Sequence, residues 1–340
     1  MAKKFNVLQV GFGPMGQLVT RLLIKRKNIK LVGVVDIDPA FEGKELAELL
    51  VDEKKVPKII IAQEIDSFLK RKIDVVIIAT SSFFEKIAPM VRDFIKAGKN
   101  VITMCEQLSY PWDFYPELSS EIDALAKENN VTVTGSGINP GYLMDFLPIV
   151  LTAPCETVEK IHVTRMMNSS RRRIPFQKKI GTNLTVGEFK KKIEEKKITG
   201  HVGLEESIQM IVSALGLDVD EIIEFPPNPM LTEKEFDSPF GRVAEGYVRG
   251  LHSRGIAKKK DKEIIILDFY AYAGDHEEYD SIVIEGVPGI QQKIIGGVHG
   301  DIGTASMIVN LIPVVYTANP GLLTMKDLPA ARNTAKIMKE

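Results

Sequence analysis

Two cysteines, Cys105 and Cys155, stand in 340 residues. That is too few for a disulfide framework, and both lie in or near apolar surroundings, which points to a reducing compartment. The chain has five histidines, and they and the cysteines show no zinc-ligand spacing, so no metal site is expected. There is no G-x-S-x-G elbow, and with it no serine-nucleophile signature. The balance of 44 Lys and Arg against 45 Asp and Glu leaves a net charge of −1. Neither nucleic acid nor a membrane surface is favoured by that balance. No uninterrupted apolar run approaches the roughly 20 residues that span a bilayer. Met1-Ala-Lys-Lys4 enters an apolar run directly, with no signal-peptide pattern. Internal repeats and low-complexity segments are also missing. These absences predict a soluble cytoplasmic protein.

What is present is an ordinary globular composition, 44% hydrophobic and 26% charged, at a length that suggests about two domains. The chain is organised around Phe5-Asn-Val-Leu-Gln-Val10 and the turn Gly11-Phe-Gly-Pro-Met-Gly16. An apolar strand runs into G-x-G-x-x-G, and a helical pattern follows. Gly11 lets the chain turn off the strand, Gly13 lets a pyrophosphate approach the backbone, and Gly16 lets the helix sit close to the sheet. The helix N-terminus presents N–H groups and partial positive charge to the phosphates. Gly11, Phe12, Gly13, Pro14, Met15 and Gly16 are therefore candidate dinucleotide-binding residues. Asp36 closes the second strand and can accept hydrogen bonds from an adenosine ribose. No Arg or Lys follows it directly, which favours NAD over NADP, with NADP possible.

The first part of the chain alternates strand and helix. Strands are predicted at 30–36, 59–61, 74–80, 100–105 and 131–134, with helices near 84–97 and 114–128. Continuous Val and Ile runs separated by helices predict a doubly wound, parallel-sheet α/β domain of the Rossmann type over residues 1–138. A second, α+β domain with a mixed or antiparallel sheet is predicted over 139–302. It contains a helix at 142–151, a strand at 161–165, helices at 186–197 and 204–215, and an irregular loop at Pro226, Pro227 and Pro229. Further strands are expected near 241–250, 263–272 and 281–285. Residues 303–340 form a C-terminal helix and tail expected to pack back on the first domain.

Candidate chemistry gathers at the carboxyl ends of the strands, where open α/β sheets bind ligands. Ala79, Thr80 and Ser81 can line the path of the nicotinamide ribose, or simply cap the next helix. Glu106 follows the fifth strand and is the candidate catalytic carboxylate; its ordinary reading is a strand-end acid. Asn139 begins the crossover and can meet the nicotinamide, although turn chemistry alone explains Pro140 and Gly141. In the second domain Asn168, Arg171, Arg172 and Arg173 form a polar loop able to grip a carboxylate. His201 is a further candidate, although a lone histidine is more often structural.

More specific stretches accompany these residues: Cys105-Glu-Gln-Leu-Ser-Tyr-Pro-Trp112, Gly137-Ile-Asn-Pro-Gly-Tyr-Leu-Met-Asp145, Arg171-Arg-Arg-Ile-Pro-Phe-Gln-Lys-Lys-Ile-Gly181, His201-Val-Gly-Leu-Glu-Glu-Ser207 and His299-Gly-Asp-Ile-Gly-Thr304. With the glycine turn, they make the whole chain resemble the 2,4-diaminopentanoate dehydrogenases. These belong to the broader group with a dihydrodipicolinate-reductase-like N-terminal domain, to which native amine dehydrogenases are related. The resemblance implies an NAD(P)-dependent oxidative deamination of (2R,4S)-2,4-diaminopentanoate at C4, with Glu106 as the carboxylate and a homodimer as the assembly. It also leaves open an amine dehydrogenase acting on simple ketones or another diamino acid, and, from a different class, a non-catalytic NAD-binding regulator. The His-His, Lys and Pro-Ser-Gly-Thr-Ala features of dihydrodipicolinate reductases are missing. So is the Glu-Lys-Pro of related sugar dehydrogenases, because Glu106 is followed by Gln107 and Leu108.

Overall fold

The computed structural model describes residues 3–171, 174–198, 200–238, 241–274 and 276–333. The chain forms two compact units, Met1–Tyr142 with His299–Glu340, and Leu143–Val298. In the first unit, β1 (Phe5–Val10) leads through the glycine turn into α1 (Pro14–Lys25). After these come β2 (Ile29–Val35), β3 (Val75–Ile78), α2 (Phe84–Lys96), β4 (Asn100–Thr103), α3 (Pro116–Glu128) and β5 (Thr132–Gly135). All five strands are parallel, in the order β5-β4-β3-β1-β2. β3 is buried at every position, as a strand covered on both faces must be. On one face Leu8, Val10, Val76, Ile78, Val101 and Val133 form a core with Phe84, Ile87, Val91 and Phe94 of α2 and Ile122 and Ala126 of α3. The strand expected at 59–61 is reduced to isolated bridges, Ile60 with Glu45 and Ala62 with Val35. Ile60 is 66% exposed while Ile61 beside it is buried at 2%, so the segment is held through one side chain and not by a continuous buried run.

The second unit begins with α4 (Phe146–Leu151). It starts later than the predicted Tyr142 because Asp145 caps it, accepting the Phe146 N–H at 2.6 Å. β6 (Thr157–Asn168), α5 (Val186–Glu194) and α6 (Leu204–Leu215) follow. Then come β7 (Glu221–Leu231), β8 (Val248–Lys259), β9 (Lys262–Tyr272), β10 (Tyr279–Val287) and β11 (Ile290–Ile295). The sheet order is β11-β10-β6-β9-β8-β7. It is mixed, since β6 and β9 run parallel while the other pairs are antiparallel. The irregular loop predicted at Pro226, Pro227 and Pro229 is instead part of β7. Proline lacks an N–H, but β7 is an edge strand, and its register against β8 shifts between His252 and Arg254. An edge with a bulge is where a strand tolerates proline.

The chain then returns to the first unit through α7 (Gly300–Thr317), which packs on α1 and β4. β12 (Gly321–Leu322) adds a parallel edge beside β5. Arg26, 5% exposed, donates to Asn310 Oδ1 at 3.0 Å and to Asn333, fixing the tail to the end of α1. Among the described residues no helix is long and apolar enough to cross a membrane.

One acid in the second unit sits in an unfavourable place for a charge. Glu224 of β7 accepts a backbone hydrogen bond from Glu205 at the start of α6, where Gly203 provides no side-chain cap. Burial, with Glu205 and Glu206 adding like charge, raises its pKa to about 7. The unfolded chain would titrate near the ordinary value of 4.5. The neutral acid therefore stabilises the fold fully below that value, and the contribution is lost as pH rises through about 7. We expect Glu224→Gln, which keeps an acceptor without the charge, to stabilise the protein at pH near 8 by about 1–2 kcal/mol after allowance for solvent screening. Thermal melts should show that gain shrinking toward acid pH; an equal gain at both ends would refute the assignment.

Candidate active site on the sheet edge and in the second unit

The glycine turn is held by contacts that exclude side chains. Gly11 has φ +90, and a Cβ there would strike the Ala79 carbonyl; a Cβ at Gly16 would strike the Gly11 carbonyl. Gly13 differs, since a Cβ would meet nothing within 4 Å. It is the N-cap of α1, no side chain caps the helix, and Pro14 sits in its first turn. Open space over an uncapped helix start fits a pyrophosphate. Met15 is half-buried in that turn. The Phe12 ring is fully buried, edge-on to Phe41 with centroids 5.4 Å apart, so only its backbone faces the turn's chemistry. Its N–H donates to Asp36 Oδ2, while Asp36 Oδ1 accepts from Asp38 N at 2.8 Å. The carboxylate proposed for the ribose is thereby fixed beside the turn. Ala79 N donates to Val10 O at 2.8 Å, and Thr80 lies exposed beyond it. Ser81 Oγ accepts from Phe83 N at 3.2 Å, as expected of a local cap.

Glu106 begins a one-turn 3₁₀ helix, Glu106–Leu108, directly beyond β4. It is half-buried, and among the described residues its carboxylate has no hydrogen-bond or ion-pair partner. Gln107, at the position of the lysine in the sugar dehydrogenases, accepts the Phe84 N–H at 2.9 Å and caps α2. Asn139 lies half-buried in the loop after β5. That loop is anchored where Ile138 N donates to Thr304 Oγ1 of α7 at 3.2 Å. The glycine turn, Ala79–Ser81, Glu106 and Asn139 thus all leave the same edge of one sheet.

In the second unit the predicted residues separate. Asn168 has both ends of its amide engaged: Nδ2 donates to Gly274 O and Oδ1 accepts from Ser170 N, each at 2.9 Å. It organises the loop. Arg171 ends a 3₁₀ turn, Ser169–Arg171; Arg172 and Arg173 lie outside the described residues. His201 lies elsewhere, its ring stacked on Phe269 with centroids 4.5 Å apart, and its backbone N–H donates to Ser253 Oγ at 3.2 Å. Burial, with the Arg165 and Lys179 charges adding to it, holds its pKa down to about 3, so the ring is neutral at physiological pH.

The residues that sequence reasoning passed over are in the row beneath that ring. Ser253, Phe269, Arg165 and Asp280 are direct cross-strand partners over β8, β9, β6 and β10. The next row, Gly255, Leu267, Val163 and Ile282, is apolar apart from its glycine. Arg165 is 3% and Asp280 5% exposed. They approach to 3.6 Å, and Val298 braces both, its carbonyl accepting from Arg165 and its N–H donating to Asp280. Burial raises the Asp280 pKa, opposed by Arg165. Charges in an otherwise apolar face are costly and mark a candidate site. The available signal was Arg165 falling in phase with Ile161 and Val163 at the strand period.

Residues 142–340 match the family of 2,4-diaminopentanoate dehydrogenase C-terminal domains. The chain is 35% identical to the 2,4-diaminopentanoate dehydrogenase of Acetoanaerobium sticklandii, over 97% of this chain and 95% of that one. Among solved structures it resembles the amine dehydrogenase from Mycobacterium smegmatis, with a TM-score of 0.81 at 23% identity over 97% of each chain. It also resembles a scyllo-inositol dehydrogenase from Lactobacillus casei with bound NAD(H) and scyllo-inositol. There the TM-score is 0.54 at 15% identity, covering 86% of this chain and 76% of that one. At these identities the two structures establish the fold: a Rossmann unit joined to a second, mixed-sheet unit.

The glycine geometry separates folding from ligand binding. Gly16→Ala should lower the thermal midpoint, since backbone fills the space a Cβ needs. Gly13→Ala should melt like the parent but bind NAD at least about tenfold more weakly, a loss of roughly 1.4 kcal/mol. Equal NAD affinity of Gly13→Ala and the parent, by titration, would remove the pyrophosphate from this turn.

Proposed function

The chain belongs to the 2,4-diaminopentanoate dehydrogenase family, and on that premise we propose that it oxidatively deaminates (2R,4S)-2,4-diaminopentanoate at C4. The products are 2-amino-4-oxopentanoate, ammonium and reduced cofactor. The observation that carries this reading is the 35% identity, over 97% of the chain, to a 2,4-diaminopentanoate dehydrogenase. The uncommitted carboxylate of Glu106, followed by Gln107 and not by lysine, supports an amine over an alcohol as the group oxidised.

The first unit would hold a nicotinamide, which would supply the hydride acceptor for C4. Gly13 and the start of α1 would hold its pyrophosphate and Asp36 the adenosine ribose; Ala79, Thr80, Ser81 and Asn139 would flank the nicotinamide end. The negative charge of Asp36 opposes a 2′-phosphate, so NAD is the preferred cofactor. The C4 ammonium has its nitrogen lone pair tied up in an N–H bond and cannot assist the departure of hydride. Glu106 accepts that proton, and the lone pair forms the C=N bond as the C4–H bond breaks. Glu106 passes that proton to solvent, takes one from the water that adds to C4 and gives it to the nitrogen; it then accepts the hydroxyl proton as the C=O forms and ammonia leaves, to be protonated to ammonium. In the second unit the Arg165 guanidinium, paired with Asp280 beneath the neutral His201, is the candidate for the α-carboxylate, together with Arg171. A cytoplasmic homodimer completes the reading, supported by the family resemblance and by the frequency of two-fold assemblies.

The test follows reduced-cofactor absorbance. 2,4-Diaminopentanoate should reduce NAD, whereas sugars, alcohols and simple amines should give little signal. Preference for a simple amine would move the chain to the ketone-aminating branch, and no turnover on any amine would favour a regulator. Glu106→Gln should lose about 10²–10⁴-fold in turnover while still binding NAD; wild-type turnover in that variant would remove Glu106 from the chemistry.

A further inference from the structure

Glu106 stands on very little structure of its own. Its 3₁₀ turn is three residues long, and such turns are seldom self-supporting. Within it, Ser109 donates to the Glu106 carbonyl from both N–H and Oγ, at 3.1 and 2.7 Å, and Leu108 N donates to Cys105 O at 3.1 Å. Two contacts from outside do the rest. Gln107 N donates to Ser82 O at 3.4 Å, and Gln107 Oε1 accepts Phe84 N at 2.9 Å. The N-cap of α2 is Phe83, which makes no side-chain cap bond, so Gln107 supplies the cap from a different loop. That bond ties the Glu106 turn to the loop carrying Thr80 and Ser81. On the other side, a Cβ on Gly135 would lie 2.5 Å from the Leu108 carbonyl carbon, 2.6 Å from its oxygen and 2.9 Å from Ser109 N. Backbone rests on backbone there, and only glycine allows it.

We infer that Gln107 and Gly135 are positioning residues for the reaction: they clamp the Glu106 turn between the β3–α2 loop and the end of β5. The inference rests on Glu106 being the proton-accepting carboxylate. The clamp fixes the backbone of Glu106 and leaves its carboxylate uncommitted among the described residues, which is what a proton acceptor of fixed geometry requires. It also assigns the residue after Glu106 a role unlike that of the lysine in Glu-Lys-Pro enzymes: it holds the acid in place and does not join the chemistry.

Three variants test this, with kcat and KM measured per folded enzyme on the pH plateau, alongside thermal midpoint and NAD binding. Gln107→Met keeps the length and removes the acceptor; Gln107→Glu keeps an acceptor; Gly135→Ala lifts the turn. Displacing a catalytic group by about 1 Å can cost about 10²-fold. Gln107→Met and Gly135→Ala should therefore lose about 10- to 100-fold in kcat with KM for NAD unchanged, and Gln107→Glu should recover most of the loss. Lower thermal midpoints with wild-type kcat per folded enzyme would mean that both residues serve folding alone, and would overturn the inference. If Gly135→Ala fails to fold, the Gln107 pair decides. Glu106→Gln, run in parallel, separates the two failures. Wild-type turnover there sinks the base and its clamp together. An inactive Glu106→Gln beside fully active Gln107→Met and Gly135→Ala sinks only the clamp.

Discussion

Backbone packed directly on backbone, with no room for a Cβ, is the constraint on which the carboxyl edge of the parallel sheet depends. Gly11 lies against Ala79, Gly16 against Gly11, and Gly135 against Leu108 and Ser109. The register explains why these contacts fall together. Val10, Ile78, Thr103 and Gly135 are successive cross-strand partners over β1, β3, β4 and β5. The chain therefore leaves four strands at one level, and the glycines let the departing loops close on one another. The glycine turn, the Ala79–Ser81 loop and the Glu106 carboxylate share that rim because the strands end in register.

The second unit solves a different electrostatic problem. Its sheet face is apolar except for the row holding Arg165 and Asp280, two buried charges braced by the backbone of Val298. His201 above that row is kept neutral by burial and by the nearby cations. Burial raises the carboxyl of Asp280 while Arg165 draws it back. The opposite arrangement holds at Asp268. There burial would raise the pKa, but hydrogen bonds with His162 and His252, helped by Arg254, outweigh it and hold it well below the carboxylate range. Those two histidines are thereby engaged in structure.

Much of this was legible in the sequence because the signals were local. The apolar β1, the Val-Ile runs of β3 and β4, the G-x-G-x-x-G turn and Glu106 at a strand end need only neighbours to be read. What was hidden depended on partners distant in the chain. Three prolines at 226–229 read as a loop until β7 is known to be an edge. Asn168 looked available until Gly274 and Ser170 engaged its amide. Arg165 sat in the strand pattern unremarked because one charge in an apolar phase is easily assigned to the surface. Gln107 was noticed only as a missing lysine, since its acceptor role is defined by Phe84, 23 residues away.

The most direct test of the central claim, that a carboxylate at residue 106 moves the protons of C4 deamination, is chemical rescue. Glu106→Ala should reduce NAD with 2,4-diaminopentanoate about 10²–10⁴-fold more slowly than the parent. Added formate should restore the rate saturably, with formate itself not oxidised. A Glu106→Ala enzyme that runs at the parent rate, or one that formate leaves inactive while NAD and substrate still bind, would contradict the account.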